Sequence, residues 1–128
     1  MNSFELYGVT DRISPDSQFQ SAFKNAYEAF NEAMSIYNDP NYESKSGWKK
    51  EAENEGATVH SKYFDYGKVF ALRGELPISW DEMYREEWED VDHIPEWNNN
   101  IAFAKIVHQI TPNVDVVNVR LTPLRLLP

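Results

Sequence analysis

The chain has 128 residues, 41% of them hydrophobic and 14% aromatic, which is enough for one hydrophobic core and excludes a disordered chain. Its formal net charge of −9 argues against a nucleic-acid partner and against tight docking on an anionic membrane, because both require clustered Lys and Arg side chains. The sequence contains no Cys, so disulfides and thiolate metal sites are excluded.

The first predicted element is an amphipathic helix. Ser14 and Pro15 form a typical helix start, with Ser as the N-cap and Pro at the first helical position. Pro40 is a typical stop, because it removes a backbone donor. We expect the apolar face of this helix to pack against a sheet. The residues that recur on it at helical spacing are Phe19, Phe23, Ala26, Tyr27, Phe30, Ala33, Met34 and Tyr37.

Three strand-like segments follow, at residues 48–55, 58–66 and 68–76. They are separated by turns that contain Gly56 and Gly67, so they predict an antiparallel meander. After Pro77 the pattern becomes helical, and Ser79 with Glu82 forms a capping box at the start of a short helix.

That short helix is predicted to end near Trp88. A second short helical segment is predicted to follow it and to end near residues 97–100. Strands over 103–110 and 114–121 complete the chain, on either side of a turn at Pro112. Strands grouped between helices, without a βαβ rhythm, indicate an α+β fold with an antiparallel sheet.

No segment resembles a signal peptide or a membrane span. Residues 1–17 lack a basic region followed by an apolar run, and no stretch approaches the roughly 18 apolar residues of a transmembrane helix. We therefore expect a soluble, cytoplasmic protein.

The sequence offers little for catalysis or metal binding. His60, His93 and His108 have no partners at metal-ligand spacing, and the acidic run over 82–96 lacks the spacing of a calcium loop. Neither a GxSxG turn nor a glycine-rich phosphate loop occurs. We expect no enzyme activity, no cofactor and no metal, and we interpret the acidic run as a solvated helix face.

Several predicted strands carry apolar side chains on both faces. One face of a sheet packs on helices, and the other is normally polar unless something apolar covers it. Two alternatives remain open: a surface shaped for a ligand or partner, or a sandwich-like core. The neighbouring residues that point to opposite faces are Tyr63 with Phe64, Val69 with Phe70, and Ala71 with Leu72.

Four blocks in this order resemble the START family of lipid-binding domains, and most of all its sterol-carrying members. A Trp before the first strand, Trp48, fits the same pattern, and the resemblance covers about residues 22–109. The blocks are Thr58-Val-His-Ser-Lys62, Gly67-Lys-Val-Phe-Ala-Leu72, Trp80-Asp-Glu-Met-Tyr84 and Pro95-Glu-Trp-Asn98.

The resemblance implies a helix-grip fold, in which an antiparallel curved sheet encloses one lipid under a long C-terminal helix. It implies lipid binding and transfer without catalysis. It also implies a partial START domain over 14–122, an N-terminal extension over 1–13 and a tail over 123–128 that matches nothing in the family. Because further strands and the lid helix are missing from this pattern, we expect an incomplete fold and weak or no lipid binding by this chain alone.

The same resemblance implies the site residues. The family's structural positions correspond to Trp48, Gly67, Trp97 and Asn98. The residues expected to contact lipid are Phe70, Leu72, Phe103, Val107 and Arg120.

Arg120 can be matched to the family in two ways. It can correspond to an inward arginine near the sterol hydroxyl, in which case the acidic residue that pairs with it is absent. Alternatively, residues 114–119 are simply the next strand, and Arg120 is an exposed strand residue. An unpaired buried guanidinium would be costly, which favours the exposed position.

The expected partner is a sterol-like lipid, with transient membrane contact. A second hypothesis is an interaction fragment that binds no lipid and associates through an open sheet edge with another copy or with a complete START protein. A third is a START-like enzyme, for which His60, His108 and Asp115 are the candidate acid and base residues.

Overall fold

The structure, a computed structural model, describes residues 2–123. The chain divides into two compact units. Unit 1 contains the described residues of 1–31 and 78–128, and unit 2 contains residues 32–77. The predicted tail over 123–128 lies, apart from its first residue, outside the described residues.

Unit 1 begins with a β-hairpin that the sequence did not reveal. Strands β1 (Ser3–Leu6) and β2 (Val9–Arg12) pair antiparallel, with Leu6 opposite Val9. The two turn residues, Tyr7 and Gly8, both have positive φ, at 50° and 82°. Positive φ at both positions is the geometry that matches the right-handed twist of paired strands. Part of the predicted N-terminal extension is therefore regular structure.

Helix α1 spans Gln20–Tyr37, so it begins later than the predicted start at Ser14 and Pro15. The hydroxyl of Ser14 accepts a hydrogen bond from the Asp16 amide, and the hydroxyl of Ser17 accepts one from the Phe19 amide. These local bonds satisfy amides that a helix would otherwise use, so they hold the segment in turns. The predicted end of the helix is confirmed.

Unit 2 contains the predicted meander. Strands β3 (Lys49–Asn54), β4 (Ala57–Phe64) and β5 (Gly67–Gly74) pair antiparallel in the order β3-β4-β5. The register of β3 shifts between Lys50 and Ala52, which leaves Glu51 in a bulge.

Short helical segments follow in unit 1. They are α2 (Trp80–Tyr84), a π-helix (Arg85–Glu89), a 3-10 turn (Val91–His93) and α3 (Ile94–Trp97). The π-helix closes with a hydrogen bond of 2.8 Å from the Asp90 amide to the Arg85 carbonyl. Two short helical segments were predicted in this region.

The predicted capping box does not form. Ser79 has the extended backbone of an N-cap residue, but its side chain makes no capping hydrogen bond. The Ser79 hydroxyl instead hydrogen-bonds the Asp81 carboxylate, which lowers the pKa of Asp81. The Ser79 side chain is therefore engaged with Asp81 and does not make the reciprocal bonds expected with Glu82.

The last two strands are β6 (Ile101–Thr111) and β7 (Val114–Leu121), which pair antiparallel with three register shifts. The described strands form three antiparallel sheets, of two, three and two strands. The predicted α+β class is confirmed, and these elements are consistent with part of a helix-grip fold.

The buried core is small in each unit. In unit 1 the buried apolar residues are Phe4, Phe23, Val91 and Ala104, and in unit 2 Ala71 is buried. Many large apolar side chains are exposed instead. Among the described helices, none combines the length and the apolar character needed to cross a bilayer.

Candidate functional site

One exposed apolar surface lies on unit 2, where β4 and β5 pair. Phe70 is opposite Ser61 and Leu72 is opposite Val59, so these four side chains share one face of the sheet. Phe70 is 61% exposed and Leu72 is 71% exposed. Tyr63 lies on the same face of β4, two residues after Ser61. We call the apolar residues of this face, Val59, Tyr63, Phe70 and Leu72, the β5 face. It contains two of the predicted lipid contacts.

A charged network borders the β5 face. Glu51 Oε1 accepts hydrogen bonds from Ser61 Oγ at 2.6 Å and from Lys68 Nζ at 3.0 Å. These bonds lower the pKa of Glu51 and raise the pKa of Lys68. Lys68 Nζ also lies 5.0 Å from the centroid of the Phe70 ring. Charge-assisted hydrogen bonds of this kind hold Glu51 and Lys68 in place beside the apolar side chains.

A second exposed surface lies on unit 1, on the hairpin of β6 and β7. Phe103 is opposite Arg120, and the guanidinium carbon lies 5.0 Å from the ring centroid, which is a cation–π contact. Arg120 is exposed, so its position agrees with an ordinary strand residue. Val107 lies at a register shift and is exposed.

The predicted structural positions lie in turns and around short helices. Trp48 precedes β3 and packs edge-on against Phe64, with ring centroids 6.0 Å apart. Gly67 opens β5 with φ of 139°. Trp97 ends α3 and is partly exposed, whereas Asn98 is half-buried and its carbonyl accepts a hydrogen bond from the Ile101 amide at 3.1 Å.

A cavity of about 560 Å³ lies in unit 1, and we call it the N-terminal cavity. It lies between the hairpin of β1 and β2, the first half of α1, the π-helical region and the turn between β6 and β7. Its lining residues are Phe4, Leu6, Tyr7, Val9, Asp11, Phe23, Ala26, Tyr27, Phe30, Tyr84, Trp88, Pro112, Asn113, Val114 and Asp115.

Aromatic rings form the wall of the N-terminal cavity. The Phe4 ring stacks on Tyr27 with centroids 4.0 Å apart and tilts against Phe23 at 5.0 Å. Phe23 is only 1% exposed, so it anchors α1 to the hairpin. Tyr84, at the end of α2, and Trp88, in the π-helix, also line the cavity. The wall is therefore held by side chains from separate elements of unit 1.

The polar part of the cavity is acidic. Asp11 Oδ1 accepts a hydrogen bond from Asn113 Nδ2 at 3.1 Å. Asp115 also lines the cavity, and its Oδ1 is buried with no hydrogen-bond partner among the described residues. None of the described residues that line the cavity is basic.

None of the five predicted lipid contacts lines the N-terminal cavity. Phe70 and Leu72 lie in unit 2, and Phe103, Val107 and Arg120 lie in unit 1. Sequence reasoning missed the cavity because it treated residues 1–13 as an extension outside the domain. The alternation of Phe4, Leu6 and Val9 around a glycine turn was the available signal.

The residues named for a START-like enzyme are divided between the two units. His108 stacks on Phe19 with ring centroids 4.3 Å apart, and Asp115 lines the N-terminal cavity. His60 lies in unit 2, where its Nδ1 is buried without a partner among the described residues. In the described part of the chain, no group of three His, Cys, Asp or Glu side chains could hold a metal ion.

The chain resembles known proteins over most of its length. The START domain family matches residues 28–122. "Steroidogenic acute regulatory-like protein 1" of Caenorhabditis elegans is 38% identical over 114 residues, which are 88% of this chain and 44% of that protein. "Steroidogenic acute regulatory protein" of Xenopus laevis is 34% identical over 70% of this chain and 30% of its own length.

A mammalian relative also matches this chain over part of its own length. "Steroidogenic acute regulatory protein, mitochondrial" of Homo sapiens is 33% identical over 65% of this chain and 28% of its own length. The chain therefore spans less than half the length of the curated relatives that it matches. Both the family match and these identities support the resemblance expected from the four sequence blocks. The chain belongs to the START domain family, a family of lipid-binding and lipid-transfer modules.

Proposed function

We propose that this chain is a lipid-binding module of the START type, whose ligand is a sterol or a similarly rigid apolar lipid. The observation that carries the proposal is the exposure of the β5 face, where Phe70 and Leu72 are in a regular strand yet lie largely uncovered. Clustered exposed apolar side chains mark sites that bind a ligand or a partner. Relatives whose names refer to steroidogenic regulation support the sterol class.

Binding would come from apolar burial and would involve no reaction. Each Å² of apolar surface removed from water contributes roughly 25 cal/mol, before the costs of association are subtracted. A ligand resting on exposed side chains such as Leu72 loses only part of its hydration. We therefore expect saturable binding with an affinity in the micromolar range or weaker. Transfer of the lipid would then require only transient contact with a membrane. We propose that residues 14–122 form a cytoplasmic lipid carrier without enzymatic activity.

A titration with a fluorescent sterol tests this proposal. Leu72→Ser removes one apolar side chain from the β5 face, and we expect the dissociation constant to rise about tenfold, because a partly covered Leu contributes less than a fully buried one. Leu76→Ser is the matched control, because Leu76 is 61% exposed in unit 2 but lies after β5. We expect it to leave binding unchanged.

Two outcomes would contradict parts of the proposal. If the intact chain shows no saturable sterol binding, the exposed β5 face does not suffice to bind a sterol and the proposal for this chain is wrong. If it binds with submicromolar affinity that Leu72→Ser does not weaken, the sterol is enclosed elsewhere and the β5 face is not its site.

A second candidate function is association through an open sheet edge. Within the described residues, β5 pairs with β4 alone, so the other edge of β5 presents unpaired backbone groups beside an apolar face. By contrast, β3 is highly charged, as is usual for edges that avoid pairing. Sedimentation of the purified chain tests self-association, because a monomer at all concentrations would contradict pairing with a second copy.

A further inference from the structure

We infer that the N-terminal cavity is a second ligand site, separate from the β5 face, and that it takes a single-tailed amphiphile with a positively charged amine head. Three properties of the cavity lead to this assignment: its size, its aromatic wall and the sign of its polar groups. It involves residues of unit 1 that the family match does not include, because that match begins at residue 28.

The volume and the wall define the apolar part of the ligand. A volume of about 560 Å³ lies within the roughly 300–1,000 Å³ that small-molecule sites occupy. The wall is built on the stacked rings of Phe4 and Tyr27 and on the buried ring of Phe23. Such a wall favours an alkyl or other apolar body over a polar metabolite.

The charges define the head group. Asp11 and Asp115 both line the cavity, and no described lining residue is basic, so an anionic head such as a carboxylate would be repelled. The Asp11 carboxylate already accepts a bond from Asn113, whereas Asp115 Oδ1 is buried without a donor. Asp115 as a whole is half-buried, and a partly buried carboxylate with an unpaired oxygen is stabilised by a nearby positive charge. The negative charge of a carboxylate is shared by its two oxygens. An ammonium group in the cavity beside Asp115 would therefore balance this charge even though Oδ1 itself is covered.

A matched series of ligands tests the head group. Dodecylamine, dodecanol and dodecanoate have the same tail, and each is titrated calorimetrically into the full chain below its micelle concentration at neutral pH. We expect dodecylamine to bind saturably with one molecule per chain, and dodecanoate to bind at least about tenfold more weakly, since a charge-assisted bond is worth roughly that factor. Equal affinity for the three ligands, or no binding of dodecylamine, would overturn the inference.

Variants of the cavity test its location. Asp115→Asn should weaken dodecylamine about tenfold and leave dodecanol unaffected, since it removes the charge and keeps the shape. Glu5→Gln is the control for the net charge of −9, because it removes one exposed charge from the same hairpin outside the cavity. If Glu5→Gln weakens dodecylamine as much as Asp115→Asn does, the binding is a general charge effect and the inference is wrong.

A variant that fills the cavity with a larger side chain tests independently whether the ligands bind there. Ala26 lines the cavity from α1, so Ala26→Phe should exclude the tails of all three ligands, with folding checked by circular dichroism. Sterol binding should survive both Ala26→Phe and Asp115→Asn, because the proposed sterol site lies on the β5 face. Failure of the amine site and failure of the sterol site are therefore distinguishable. Undiminished dodecylamine binding by a folded Ala26→Phe chain would contradict the assigned cavity.

Discussion

Apolar residues that the sequence places on similar faces differ widely in how far they are buried. Phe23 and Leu72 were both placed on apolar faces by their spacing, yet Phe23 is 1% exposed and Leu72 is 71% exposed. Periodicity identifies which side chains share a face, but it does not identify what covers that face. For this reason the sequence could place Phe70 and Leu72 together and could not reveal that Asp115 borders an aromatic cavity.

Phe23 is the residue whose loss should cost most in unit 1. Phe23→Ala removes a buried ring that contacts Phe4, so we expect the free energy of unfolding to fall by about 3–5 kcal/mol. Phe30→Ala is the control on the same helix, because Phe30 is half exposed and should cost less than half as much. Urea unfolding monitored by circular dichroism measures both. Equal losses for the two variants would contradict the packing described for α1.

Glu51 should give stability a defined pH dependence. Hydrogen bonds from Ser61 and Lys68 lower its pKa in the folded chain below the ordinary value of 4.5. A carboxyl group with a lowered pKa stabilises the fold above its unfolded pKa, and this contribution is lost as the pH falls through the folded pKa. Glu51→Gln should therefore lower the urea midpoint at neutral pH.

The difference between the Glu51→Gln chain and the unmodified chain should shrink as the pH falls below 4.5. Glu55→Gln, which changes the same charge at the exposed turn after β3, should have little effect at any pH. A midpoint difference for Glu51→Gln that stays constant down to the acid-unfolding region would show that the network does not act through the charge of Glu51.

Elements were predictable where their turn chemistry is common. The meander of β3, β4 and β5 follows glycine-containing turns, and it was predicted in the correct order. The hairpin of β1 and β2 was missed because Tyr7 occupies a positive-φ position that Asn, Asp or Gly usually takes. The start of α1 was wrong because Ser14 and Ser17 bond locally, which helix-start patterns do not distinguish from capping.

The hairpin turn should depend on Gly8. Its φ is 82° and a Cβ there would meet nothing within 4 Å, so a substitution costs backbone strain alone. Gly8→Val should lower the free energy of unfolding by roughly 1–2 kcal/mol, the cost of a left-handed conformation. Gly8→Asn should cost less, because Asn tolerates this region. Thermal unfolding compares them, and indistinguishable stabilities for Gly8→Val and the unmodified chain would contradict the turn.

On the scale of the whole molecule, the class was predictable and the distribution of burial was not. Grouped strands and helices predicted an α+β fold, and the START resemblance agrees with the family match over residues 28–122. The small core of each unit could not be read from a composition of 41% hydrophobic residues. Composition counts apolar side chains, whereas burial depends on which elements cover them.

A photoreactive sterol tests the location of the proposed lipid site most directly. The intact chain is irradiated with a diazirine-bearing sterol, digested and mapped by mass spectrometry. We predict labels in the segment of β5, residues 67–74, that an excess of unlabelled sterol suppresses. Labelling confined to the charged strand β3 or to the hairpin at residues 3–12, or labelling that unlabelled sterol does not suppress, would contradict lipid binding on the β5 face.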